Sequence, residues 1–143
     1  MAIDERAAYA LASWRHFDET VSDELLRAVT GAFALVAAAD GDLAVSEVDR
    51  FLALLHEHET VFRPLSFAEL EHVFRDICGA IISDPEQGWQ RALECVLLVR
   101  KNANHVKLVR SAATIAMAAD DREAASEQKV LSVIDRALGV APD

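Results

Sequence analysis

Two short stretches hold the side chains best placed to do chemistry. One reads AADGDLAVSE, from Ala38 to Glu47, and the other AADDREAASE, from Ala118 to Glu127. Both open on Ala-Ala-Asp and close on Ser-Glu, at an offset of 80 residues. The carboxylates are Asp40, Asp42 and Glu47 in the first copy and Asp120, Asp121 and Glu127 in the second, with Glu123 nearby. Oxygen donors of this kind suit calcium, magnesium or manganese better than zinc or copper. Calcium takes about six to eight oxygens, and magnesium about six, several of them waters. One turn supplies too few carboxylates for a strong site. Two turns brought together supply enough for one good site or two water-rich ones.

The string Asp40-Gly41, five residues, Glu47 matches the second half of an EF-hand loop. Val36 and Ala38 stand where the first two ligands belong, so the stretch is not an EF-hand. A plainer reading is helix punctuation. Asp40 then ends one helix, Ser46 and Ser126 serve as N-caps, and Glu47 in a first turn favours the helix start by about 0.3–1 kcal/mol. Punctuation does not require the same acids twice, and the duplication favours a cation site.

Other candidate chemistry is weaker. In LLHEHET, His56 and His58 are two apart and face different ways, whereas a zinc protease needs two histidines four apart on one helical face. His16, His72 and His105 are isolated. No glycine-rich phosphate loop, Gly-x-Ser-x-Gly motif or Cys–His pairing is present, and the chain is expected not to be an enzyme. Cys78 and Cys95 lie among apolar neighbours and read as buried, reduced thiols, as in a cytosolic protein.

The elements that position these acids read as helices throughout. The chain has 143 residues, an apolar fraction of 52%, five glycines and three prolines, which fits one domain with a sizeable core. Seven helical segments are expected, the first over about 2–16. The second follows Ser22 and shows Leu25, Val29, Phe33 and Val36 on one face. It stops at Asp40-Gly41, glycine being the usual residue just past a helix end. The third begins near Ala44–Ser46, with Val48, Phe51, Leu52 and Leu55 as its apolar stripe. Ser66 and Glu69 form a capping box for the fourth. The fifth starts at Asp84-Pro85 and presents Trp89, Leu93, Val96 and Leu97. The sixth shows Val106, Val109, Ala113 and Ala116. The seventh, about 124–138, ends at Gly139 in a Schellman-type stop. The fold class is therefore all-α, a compact bundle of about seven helices. Each acidic stretch falls at a helix–turn–helix, and the copies also match in character at Leu35/Ile115, Phe51/Leu131 and Leu54/Ile134. Two related hairpins carrying acidic turns follow from this.

The net charge of −10, from 24 acidic and 14 basic residues, argues against nucleic acid and against anionic membrane surfaces as partners. A cation or a basic protein patch remains a natural partner. The longest apolar run, AFALVAAA, is too short to span a bilayer, and the opening stretch lacks an apolar core of signal-peptide length. The expected location is the cytoplasm, without membrane insertion.

The stretch ALVAAADGDLAVSEVDRFLALL resembles the first signature of the tellurite-resistance TerB family, and IAMAADDREAASEQKVLSVIDRALGV resembles its second. The segment between them follows the family's middle region in length and pattern, so the resemblance runs over about residues 25–141. It implies a seven-helix cytoplasmic fold with acidic turns that bind divalent cations, in gene sets for tellurium resistance and stress response. It also implies association with a membrane-embedded TerC-type protein and other Ter proteins. Asp40, Gly41 and Glu47 match the first motif, Asp120 and Glu127 the second, and Asp42 a position often acidic. The second motif usually reads Asp-Gly, where this chain has Asp120-Asp121, and Arg122 stands where the first copy has Asp42. Asp121 either adds a ligand or reshapes that turn, while Arg122 opposes a cation there. The alternative function is an acidic module that docks on basic loops of such a partner without metal.

Overall fold

The computed structural model describes Ala12, Trp14 and residues 22–39, 43–60, 62, 65–120 and 124–139, the side chains of 118–120 and 124–128 excepted. Among the described residues there are six helices and no strand. They are α1 (Asp23–Ala37), α2 (Val45–Glu57), α3 (Phe67–Ser83), α4 (Pro85–Leu97), α5 (Ala103–Asp120) and α6 (Ala124–Ala137). The helix expected over 2–16 lies outside the described residues except at Ala12 and Trp14, both of which are helical.

Helix α1 is the centre of the bundle and touches all five others. Ser22 caps it, accepting from the Leu25 amide at 3.1 Å. Twelve of its 15 residues are buried, leaving Asp23, Glu24 and Arg27 exposed. The expected face of Leu25, Val29, Phe33 and Val36 is buried, but so is the opposite side, where Gly31, Ala32 and Ala34 admit close neighbours. A helix that is apolar all round belongs in an interior. Its one buried hydroxyl, on Thr30, donates back to the Leu26 carbonyl at 2.6 Å.

Helix α2 buries Val48, Phe51, Leu52 and Leu55, the stripe that its spacing predicts. An aromatic chain anchors it. Phe51 stacks on Phe74 of α3 at 5.5 Å, Phe33 of α1 meets Phe62 edge-on at 5.4 Å, and Trp14 meets Phe62 edge-on at 5.3 Å. The Trp14 indole also donates to the Leu108 carbonyl of α5 at 3.2 Å.

Helices α3 and α4 are separated only by Asp84, which caps α4 by accepting from the Gln87 amide at 3.3 Å. The buried face of α4 is shifted from the expected one: Val96 is buried as expected, but its companions are Gly88 and Ala92, with Trp89, Leu93 and Leu97 half-buried beside them. Small residues take the centre because α4 lies close to two backbones. A Cβ on Gly88 would meet Ile81, and one on Gly31 would lie 2.7 Å from the Ala92 carbonyl oxygen. Helix α6 ends as its sequence predicts, with Gly139 at φ 76° and its amide donating to the Arg136 carbonyl at 3.2 Å. No helix among the described residues is long and apolar enough to cross a membrane.

Candidate functional site

Both acidic stretches occupy helix junctions. The first begins where α1 ends at Ala37 and finishes inside the first turn of α2. The second begins in the last turn of α5 and finishes in the first turn of α6. Asp40, Gly41, Asp42 and Asp121 lie outside the described residues. Asp120 and Glu127 have helical backbone, and their side chains are likewise outside the description. Glu47 is therefore the one candidate ligand whose carboxylate can be described.

Glu47 is the third residue of α2, and its amide donates to the Ala44 carbonyl at 2.9 Å. Ala44 is the cap residue and makes no side-chain cap bond. Ser46 thus lies within the helix and is not the N-cap considered from sequence; Ser126 likewise falls inside α6. With no hydroxyl at the cap to reciprocate, Glu47 does not complete a capping box. Its carboxylate accepts instead from Arg50 Nε, one turn on, at 3.1 Å. Both side chains remain open to solvent, 34% exposed for Glu47 and 42% for Arg50. Arg50 is the residue that sequence reasoning passed over. The signal was present as Glu-x-x-Arg, the i, i+3 spacing of an intrahelical ion pair.

Further ion pairs join neighbouring helices. Arg75 of α3 donates to Asp49 of α2 at 2.8 Å and to Glu71 of its own helix at 3.2 Å. Arg91 of α4 pairs with Asp76 of α3. Arg110 of α5 donates to Asp135 of α6 at 2.7 Å. Hydrogen bonding to Asp49 and then to Glu71 holds the Arg75 guanidinium above its ordinary pKa. Asp49 and Asp76 are thereby assigned to interhelical ties.

The histidine pair does not converge. His56 lies 3.6 Å from Glu59 and edge-on to Phe67, whereas the His58 ring nitrogen lies 2.9 Å from the Leu54 carbonyl oxygen. Among the described residues no group of three or more His, Cys, Asp or Glu side chains is arranged to hold a metal ion. A cleft of about 320 Å³ lies between the end of α2 and the start of α3, lined by Leu55, Phe62, Leu65, Phe67 and Leu70 with Glu59 supplying a carboxylate.

Both cysteines are free thiols. Burial pushes the Cys78 thiol up to about 12 and also raises that of the half-buried Cys95. A thiol is nucleophilic as its thiolate, so burial suppresses thiol chemistry at neutral pH.

The chain matches no curated protein and no solved structure significantly. A family model does match, that of tellurite resistance protein TerB, over residues 26–143. The match takes in α2 to α6, nearly all of α1 and both acidic stretches, and the chain accordingly belongs to the TerB family of tellurite resistance proteins.

Proposed function

We propose that the chain is a tellurite-resistance and stress-response accessory protein of the cytoplasm that binds divalent cations, calcium or magnesium, at its two acidic turns. The observation that carries this reading is the doubled motif, each copy running from one helix end into the first turn of the next helix. Asp40, Asp42 and Glu47 would serve the first turn, and Asp120, Asp121 and Glu127 the second. The donor set is all oxygen, the chemistry that hard cations require. The solvent-open Glu47 carboxylate is compatible with that role. A bound cation would neutralise like charges crowded at a helix junction and fix the two helices it joins. The proposed role is non-catalytic.

Calorimetric titration of calcium, then magnesium and zinc, into metal-free protein tests the reading, beside the double variant Asp40→Asn/Glu47→Gln. Saturable heat that disappears in the variant assigns an ion to the first turn. A transition that survives there belongs to the second. No heat with any ion at millimolar concentration would reject the proposal.

One observation favours a second reading. Glu47 already has a cationic partner in Arg50, so this carboxylate is paired without a metal, while the chain as a whole keeps its net charge of −10. In this reading the protein docks on basic loops of a membrane-embedded TerC-type partner or another Ter protein. Asp40→Asn or Glu47→Gln would then weaken partner capture equally with and without cation. Under the first reading the loss appears only with cation present.

A further inference from the structure

We propose that Arg50 is a built-in counter-ion that competes with an external cation for the Glu47 carboxylate, and that it makes the two acidic turns inequivalent; this rests on the cation-binding reading above. The geometry is that of an intrahelical ion pair. Arg50 Nε stands 3.1 Å from Glu47 Oε2, one turn along α2, with both side chains partly in solvent. A divalent cation that takes the same carboxylate meets a guanidinium already bonded to it. Whether the ion displaces the guanidinium or sits beside it on the same carboxylate, the positive charge stays within a few ångströms of the ion and repels it.

The second copy has no cation at the matching position. At the offset of 80, Glu47 corresponds to Glu127 and Arg50 to Val130. Val130 is 2% exposed and points into the core, so no cation can stand at that position of α6. The exposed Lys129 is two residues from Glu127, a spacing that does not bring side chains together on a helix. Arg122, the remaining nearby cation of the second stretch, lies in the turn itself and outside the described residues. The first turn thus carries its counter-ion on the helix beside the shared glutamate, where the second turn has an apolar core residue.

The test uses the full chain with Asp120→Asn/Glu127→Gln, which silences the second turn and leaves the first to be read alone. Calcium is titrated by calorimetry into this parent and into the same protein carrying Arg50→Gln or Arg50→Lys. Arg50 is on an exposed helix surface, and far-UV circular dichroism checks that all three stay folded. Arg50→Gln is expected to tighten calcium binding about two- to fivefold, the scale of one solvent-exposed ion pair. Arg50→Lys keeps the charge and is expected to stay near the parent. The gap between Arg50→Gln and the parent is expected to shrink as sodium chloride screens the charges. Equal affinities for parent and Arg50→Gln would overturn the counter-ion role while leaving the first turn a cation site. No saturable heat in any of the three would reject the site itself, and the competition with it.

Discussion

Gly88 packs so closely on Ile81 that a Cβ added to the glycine would overlap both the Ile81 Cα and its amide nitrogen. No side chain can move aside to relieve that contact, because the obstructing atoms are backbone. Gly88→Ala is therefore expected to destabilise the protein by about 1–3 kcal/mol, in spite of alanine's better helix propensity. Gly79 supplies the contrast. It is exposed in the middle of α3, and a Cβ there meets nothing within 4 Å. Gly79→Ala is expected to stabilise by about 0.5–1 kcal/mol. Urea unfolding of the two variants reads opposite shifts of midpoint. Shifts of the same sign would contradict the packing of α4 on α3.

Trp14 tests how the segment before α1 joins the core. It is 1% exposed, packs edge-on against Phe62 and donates to the Leu108 carbonyl. Trp14→Phe removes the donor and part of the ring, and is expected to cost about 1–3 kcal/mol. The other tryptophan, Trp89, is only half-buried. The variant's fluorescence should therefore shift to longer wavelength as the drier emitter is lost. An unchanged spectrum and midpoint would place Trp14 outside the core.

How far the sequence could be read depends on what kind of contact each residue makes. The stripe Val48, Phe51, Leu52 and Leu55 is legible because large apolar side chains at helical spacing announce a buried face. Ser66 and Asp84 are legible because capping is a local matter, settled within three residues. The face of α4 is not. Gly88 and Ala92 are buried for the volume they lack, which apolar periodicity does not register, and Trp89 and Leu93 draw the reading one position aside. Asp49 and Asp76 look like any surface acid in one dimension; only the packing of α2, α3 and α4 brings Arg75 and Arg91 to them. At the candidate site, the repeat makes Glu47 conspicuous. The pair it forms with Arg50 is equally local, yet it is hidden by attention to acids alone.

The thiols give a pH prediction with a definite sign. Burial raises the Cys78 pKa from 9.0 to about 12 in the folded protein. Between those values the folded state holds a proton that the unfolded state releases, so stability falls as pH rises. The contribution is fully present below pH 9 and is lost progressively toward pH 12. Cys78→Ser, whose hydroxyl does not titrate there, should flatten this part of the stability–pH curve. At pH 8 a thiol reagent should modify the half-buried Cys95 first and reach Cys78 only on unfolding. Rapid modification of both in the native protein would show that Cys78 is not held as described.

The last two helices are tied by Arg110, which donates to Asp135 through Nε at 2.7 Å and through a second nitrogen at 3.5 Å. This two-point contact joins the two helices that flank the second acidic turn, about 15 Å along each helix from the turn itself. The pair is partly shielded, with Asp135 21% and Arg110 42% exposed, so its loss is expected to cost about 0.5–1 kcal/mol. Under the proposed cation-binding reading, the spacing of these two helices also sets the geometry of the second turn. Arg110→Ala should speed hydrogen exchange along α6 without affecting α2, since the opening it permits is local. It should also weaken the cation transition that survives in Asp40→Asn/Glu47→Gln, while leaving the first-turn transition of the Asp120→Asn/Glu127→Gln protein unchanged. If both transitions weaken together, the turns form one shared site and not two. If α6 exchange is unaltered, the ion pair does not hold the hairpin, and the spacing of α5 and α6 rests on apolar packing of residues such as Val130 and Ile134.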